Sequence, residues 1–448
     1  MLRFRPVLAL LLSSCLLAAA CGDDDGTTDE PTSTSGAVTS TSGGPDDTST
    51  TTTEPVELTA SFRGVTAETI KIGILAYDWD RLAALGVEFG VSNSGDLGIA
   101  ALEAINDRGG IHGRMIEPVL AEFLPVGSTE ADAACVELTE DEEVFLVVGV
   151  ALNEQILCFT DIHETAAIVA AGMNDERLAK ARAPYITLAD DQAGRSAAFV
   201  DIMMEAGVLE GQRVGVIGSA DVSETAFTAM VDAFRNAGFE PVEGLIGGNA
   251  DDLAESAREQ ALIYQRMQDE GVTVAVSTTG VPLEIANAFD AGYEPDQWLL
   301  STLMTGRGLT DAGVPHEYLD GALAVVNTPI GTSDQPSMGD DPLVAACIDD
   351  LRARTDHPLP YELDPPVNNI GTAIVSCAIA AIVEAGLTNA GPDLTNESLQ
   401  AGLEAIGPID LPGHFDATIG PDDYGAAKGL TLVRFDAATG VWMPVDSD

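Results

Sequence analysis

Val144-Phe145-Leu146-Val147-Val148-Gly149 is an unbroken apolar run framed by acidic residues. It shows no alternation between buried and solvent-facing positions, so both of its faces must be covered. That is the condition of an inner strand in a parallel sheet. Upstream, Ile70 to Leu75 and Met115 to Phe123 read as strands, and Leu97 to Asn106 and Ala131 to Leu138 space their apolar residues as helices. Downstream, a helix is predicted from Gln155 to Thr165, with strands at Ala166 to Ala171 and Tyr185 to Leu188. After Asp190 the alternation starts again. Helix Ala193–Ala206 leads to strand Arg213–Gly218, helix Glu224–Ala237 to strand Val242–Ile246, and helix Leu253–Asp269 to strand Val272–Ser277 before helix Pro282–Ala291. Two such series predict an α/β fold of two doubly wound parallel-sheet lobes, each with a crevice at the carboxyl ends of its strands. The later chain is helical at Asp341–Ala353, Val367–Ala385 and Ser398–Ile406, and Leu430 to Val445 reads as a hairpin turning at Ala438-Thr439-Gly440.

The 448 residues exceed what one compact core usually fills, which agrees with more than one lobe. Asp and Glu number 72 against 20 Lys and Arg, a formal charge of −52. Phosphate backbones and anionic lipid surfaces repel such a chain, so nucleic acid is excluded as a partner. Only Lys71, Lys180 and Lys428 are lysines. An acidic, lysine-poor surface suits salty surroundings, where counterions screen its self-repulsion.

Residues 1–20 read as a signal peptide: Arg3 and Arg5, a short apolar run, then Ala18-Ala19-Ala20 ahead of Cys21. Small residues abutting a cysteine resemble a bacterial lipoprotein signal, which implies lipid on Cys21. Residues 21–64 read as a tether. Of the 36 residues from Gly22 to Glu57, 16 are Ser or Thr and 9 are Asp or Glu, which leaves almost nothing to bury. The longest later apolar run, Thr372 to Val383, stops at Glu384, short of the roughly 18 residues that a membrane span needs. The mature chain is therefore expected to be soluble apart from its lipid. Cys135, Cys158, Cys347 and Cys377 remain, and export favours two disulfides. Three pairings are open, and sequential pairs close the shortest loops.

The five histidines show no metal-ligand spacing, and no metal or cofactor is expected. Gly215-Val216-Ile217-Gly218-Ser219 lacks the Gly-Lys-Ser/Thr of a phosphate loop and the third glycine of a dinucleotide site. There is no Gly-x-Ser-x-Gly elbow. No catalytic residue is predicted.

Ala101-Leu102-Glu103-Ala104-Ile105-Asn106-Asp107-Arg108-Gly109-Gly110-Ile111-His112-Gly113-Arg114 resembles the helix, turn and strand start of the leucine/isoleucine/valine-binding protein family, the type I periplasmic binding proteins that serve ABC importers. Gly109-Gly110 would end the helix at positive φ, and Gly113 would turn the chain into the next strand. The spacing of Cys135 and Cys158 is similar to that family's first disulfide. Ser277 to Gly292 resembles its second-lobe strand and helix, and Gly413 to Trp442 its carboxyl-terminal strands. The resemblance implies lobe one at 65–188 and 331–409, lobe two at 189–330 and 410–448, and a hinge of three crossings near 188–190, 328–330 and 408–410. Ligand would lie between the lobes, and closure would be a hinge motion.

Carried over residue by residue, the ligand site falls on Tyr77 and Trp79 after the first strand, and on Asn153 and Gln155 in a loop that lacks the family's hydroxyls. Gly172 and Asn174 follow the next strand. Asp221 and Val222 stand in lobe two where the family often has a tyrosine, and Thr279 and Gly280 follow a later strand. Tyr77 and Trp79 could stack on an apolar or cationic group, and Asp78, Asp80 or Asp221 could receive an amine. Packing and helix capping are the plainer roles for these side chains.

The sequence thus reads as a monomeric lipoprotein on the outer face of the cell membrane. It binds a small polar solute, an amino acid or related compound, for an ABC permease, and it is not an enzyme. A ligand sensor of the same fold and an exported α/β hydrolase are the alternatives.

Overall fold

The computed structural model describes residues 58–445 except 85–90, 94, 126–128, 152, 171–173, 190–191, 248–252, 280–281, 302–305, 329–331, 333–336, 362–368 and 422. The signal peptide, Cys21 and most of the tether lie outside the described residues.

In chain order the first series is β1 (Thr69–Tyr77), α1 (Trp79–Ala84), α2 (Gly95–Asp107), β2 (Met115–Phe123), α3 (Thr129–Val136), β3 (Leu146–Val150), β4 (Ala166–Ala170), α4 (Asp175–Lys180) and β5 (Tyr185–Ala189). The second is α5 (Gln192–Glu205), β6 (Val214–Ser219), α6 (Ala220–Asn236), β7 (Val242–Ile246), α7 (Leu253–Asp269), β8 (Val274–Ser277), α8 (Pro282–Asp290), β9 (Gln297–Leu300), α9 (Gly306–Asp311) and β10 (Leu323–Val326). There follow α10 (Pro342–Arg354), α11 (Ile370–Ala390), α12 (Asn396–Glu404), the short pair β11 (Gly407–Pro408) and β12 (Thr418–Ile419), β13 (Gly425–Ala427), and the hairpin β14 (Thr431–Asp436) and β15 (Val441–Pro444).

Two sheets result. The first is all parallel in the order β13-β5-β4-β3-β1-β2. The second runs β15-β14-β10-β9-β8-β6-β7, with the closing hairpin antiparallel to an otherwise parallel sheet. The opening apolar run becomes β3, between β1 and β4, with Leu146 and Val147 fully buried on opposite faces. The helix expected from Gln155 to Thr165 is present from 153 to 162 as a continuous mixed helix, a 3₁₀ turn at Asn153–Gln155 leading through one short α segment into a π turn at Cys158–Ile162.

The glycine-rich turn after α2 has the backbone that its sequence demands. Gly109, Gly110 and Gly113 all have positive φ, and a Cβ on Gly110 would stand 2.0 Å from the Arg114 carbonyl oxygen. Arg114 itself is buried and donates to the carbonyls of Thr59, Thr66 and Pro392 at 2.7–2.9 Å. Ser61 Oγ donates to Leu394 O, and the Phe62 ring meets Phe145 edge-on. Residues 58–64, expected to belong to the tether, therefore pack on lobe one.

The third crossing also lies later than expected. Leu411, Ala417, Ile419 and Ala426 are buried in the core of the first sheet, and β13 pairs with β5. The segment 410–427 thus belongs to lobe one, and the chain reaches lobe two only with β14. The cause is that Gly425-Ala426-Ala427 offers small residues for the edge beside β5, a signal too short to mark a strand. Thr332 bridges to Trp442, which keeps it with lobe two.

By length and composition, α11 would suffice for a membrane span, contrary to the reading of its run as too short. More than half of it is buried, Glu384 pairs with Arg108 at 2.6 Å, and Cys377 ties it to α10. It is the core helix of lobe one. The cysteines pair sequentially, Cys135–Cys158 and Cys347–Cys377. Among the described residues, the one His/Cys/Asp/Glu group close enough to hold a metal is Cys135, Cys158 and His163, and its two sulfurs are joined to each other.

Candidate functional site

Strand order reverses between β1 and β3 in the first sheet and between β6 and β8 in the second. Crevices open at such points, outside the carboxyl ends of the strands. A cavity lies at each carboxyl end. In lobe one it encloses about 130 Å³ over a floor of Ile74, Ala76, Val148 and Val150. The floor follows from β1: Ile70, Ile72 and Ile74 are branched residues packed under the helices, and the next position on that face is only Ala76. At the end of β3, Gly149 has φ +107°, and a Cβ there would stand 2.2 Å from Leu75 O, so only glycine lets the two strands approach so closely. In lobe two a cavity of about 100 Å³ lies between α5, α6 and the sheet, with Arg195, Ser196, Thr278 and Ser301 on its wall.

Tyr77 and Trp79 both line the lobe-one cavity. Their rings meet edge-on at 5.3 Å, and Tyr77 also packs on Phe123. Burial pushes the Tyr77 hydroxyl up to about 12. Asp78 takes the plainer role: its Oδ1 accepts from Arg81 N and from Asn93 Nδ2, so it caps α1.

The other sequence-predicted residues are dispersed. Gln155 is buried and its Nε2 donates to Ala131 O at 2.8 Å, which joins it to α3 rather than to a ligand loop. Asn174 caps α4, its Oδ1 accepting from Arg177 N. Thr279 Oγ1 donates to Glu284 Oε2 at 2.6 Å. Asn153 lies in the 3₁₀ turn after β3, and Asp221 and Val222 in the first turn of α6; their side chains, like Gly172 and Gly280, are outside the described residues.

Sequence reasoning passed over two residues. Arg177, one turn after Asn174, is 3% exposed; its Nε donates to Glu154 at 2.8 Å and its Nη2 to Thr225 Oγ1 at 3.1 Å. Arg177 belongs to lobe one and Thr225 to α6 of lobe two, so this contact spans the lobes and brings the two sets of carboxyl ends face to face. Nothing in the local sequence marks one arginine for that task. The second is Glu284, 2% exposed in the first turn of α8, whose carboxyl is pushed above the ordinary range by burial.

Two parallel sheets with facing carboxyl ends, three chain crossings and a bridged gap define a two-lobed binding protein. Residues 98–440 match the family described as periplasmic binding protein. The chain belongs to that family, in its leucine/isoleucine/valine-binding-like branch. Among solved structures it is similar to a possible leucine/isoleucine/valine-binding protein from Rhodopirellula baltica SH 1, with 16% identity over 85% of this chain and 96% of that one and a TM-score of 0.60. A solute-binding protein of an ABC transporter from R. palustris, in complex with 4-hydroxybenzoate, shares 14% identity over 85% and 96%, TM-score 0.62. A fatty acid ABC transporter substrate-binding protein from Thermomonospora curvata shares 16% over 86% and 93%, TM-score 0.59. At these identities the likeness is one of fold. No curated protein sequence matches the chain.

Proposed function

We propose that this chain is the extracytoplasmic solute receptor of an ABC importer. It takes a small organic solute, an amino acid or a related compound, between its lobes and closes on it by hinge motion. The observation that carries this reading is the pair of cavities at facing carboxyl ends, with Arg177 and Thr225 joined across the gap. Strand-end loops and helix N-termini offer N–H donors to such a solute without any reaction taking place. The relatives of this fold are named for leucine, 4-hydroxybenzoate and fatty acid, a range whose common feature is an apolar body on a carboxylate. The signal peptide, lipid on Cys21 and the Ser/Thr/Asp-rich leash complete the reading: a monomer tethered to the outer face of the membrane, delivering solute to a permease.

The test is a thermal-shift screen of the exported full chain against amino acids, amides, polyamines, aromatic acids and short peptides. Ligand at about a hundred times its dissociation constant stabilises by roughly 2.7 kcal/mol, a shift of several degrees. One chemically coherent set of hits is expected. Silence from a folded sample would overturn the receptor reading.

A further inference from the structure

The lobe-one cavity lies at the carboxyl ends of β1 and β3, beneath two helices. Its roof is Leu102 of α2 and Val375 and Ile379 of α11, and Thr372 and Ser376, one turn apart on α11, add hydroxyls on the same side. Among the described residues, every one on its wall is apolar, glycine, or neutral with a hydroxyl or indole N–H. Leu102 and Ile379 are buried at the back, while Tyr77, Trp79, Thr372 and Ser376 are half-buried at the front. The chamber is therefore apolar at depth, with its hydroxyl-bearing residues toward its half-buried end.

Size limits what it can hold. A cavity of about 150 Å³ lined by aliphatic and aromatic side chains stays dry and accepts benzene. At about 130 Å³, this chamber matches one six-membered ring or a branched alkyl group of similar bulk. A charged head would lose its hydration there with no ion to replace it, so any head must remain in the gap. Left empty, the lining loses contacts that a close-packed interior normally keeps, and the sequence forgoes an easy remedy by placing Ala76 where the preceding residues of that face are Ile70, Ile72 and Ile74.

We propose that the chamber beneath α2 and α11 is a binding site for a phenyl-sized apolar group, and that this group is the buried end of the transported solute. The second half of the statement rests on the receptor reading; the first does not.

The experiment uses the full chain, with toluene as a probe that has no head, and with two pairs of compounds that differ by a phenyl group: phenylacetate against acetate, and L-phenylalanine against L-alanine. Toluene is expected to shift the methyl NMR signals of Ile74, Leu102, Val148 and Ile379 and to leave those of lobe two in place. The phenyl member of at least one pair is expected to bind ten times or more tightly than its partner. Ser376→Leu and Val150→Phe, which fill the chamber from opposite walls, should each abolish the toluene response. Wild-type NMR decides the question if either variant fails to fold. Toluene that moves no lobe-one methyl, or that acts equally on both folded filled variants, overturns the site. Binding of alanine or acetate with no phenyl preference overturns the proposal and leaves the receptor reading standing. Toluene in the chamber with every headed compound ignored upholds the site and overturns its assignment to the buried end of the transported solute.

Discussion

Lobe one is cross-linked, whereas lobe two is uncross-linked and richer in buried aromatic side chains. All four cysteines of the folded part are in lobe one, where α11 runs through a core made mostly of Ile, Leu, Val and Ala. Lobe two has none. Its core stacks Tyr264 on Tyr293 at 5.1 Å, sets Trp298 edge-on to Tyr293, and closes with Phe435 against Trp442 from the final hairpin. Each lobe has a cavity at its carboxyl end, but among the described residues one is lined by uncharged side chains and the other includes Arg195. The same topology is thus stabilised by different means: a disulfide-braced lobe around one cavity, and a lobe with no disulfide around the other.

The largest expected effect strikes the aromatic lobe. Trp442 is 2% exposed, and Trp442→Ala should cost about 3–5 kcal/mol in urea denaturation. A loss below about 1 kcal/mol would mean that the closing hairpin does not hold lobe two together. Next is the brace of lobe one. Replacing Cys347 and Cys377 with serine should lower stability by about 2–4 kcal/mol and weaken hydrogen-exchange protection in α10 and α11, while β6 to β9 keep theirs. Equal loss of protection in both lobes would erase the contrast between them.

The contact that joins the lobes comes third. Thr225→Val removes the acceptor for Arg177 while leaving each core intact. A hydrogen bond to a charged group contributes about 1.5–3 kcal/mol, so solute affinity should fall roughly ten- to a hundredfold with little change in the melting temperature of the unliganded protein. Unchanged affinity would remove this contact from the closed state. The smallest effect concerns Glu284. Its pKa is raised by burial, so the folded state holds the proton more firmly than the unfolded chain does. Its contribution to stability is complete below the ordinary carboxylate pKa and is lost as pH rises through the raised value. Glu284→Gln should match wild type near pH 4 and gain on it as the pH climbs. A gap in melting temperature that does not change with pH would mean that this carboxyl does not titrate with folding.

The fold was legible because long parallel strands are apolar without a break and their helices keep a regular period; β7 and α7 fall where the pattern placed them. What escaped was short or three-dimensional. Gly425-Ala426-Ala427 is too small a signal to announce an edge strand, and β9 and β10, four residues each, passed unmarked. Of the residues carried over for the site, Tyr77 and Trp79 line the lobe-one cavity. Gln155 and Thr279 hydrogen-bond within their own lobes and Asn174 caps a helix, uses that short polar side chains serve as readily as ligand binding. Arg177 could not be found from sequence, since its meaning comes from a partner 48 positions away on the other lobe.

Solute capture by closure is tested most directly by fluorescence energy transfer between labels at Ile162 in lobe one and Leu262 in lobe two, positions 70% and 73% exposed. The expected result is a change in transfer efficiency that saturates with the same dissociation constant as the thermal shift of each hit, and that is blunted in Thr225→Val. A solute that stabilises the protein while the distance between labels stays constant would contradict binding between the lobes.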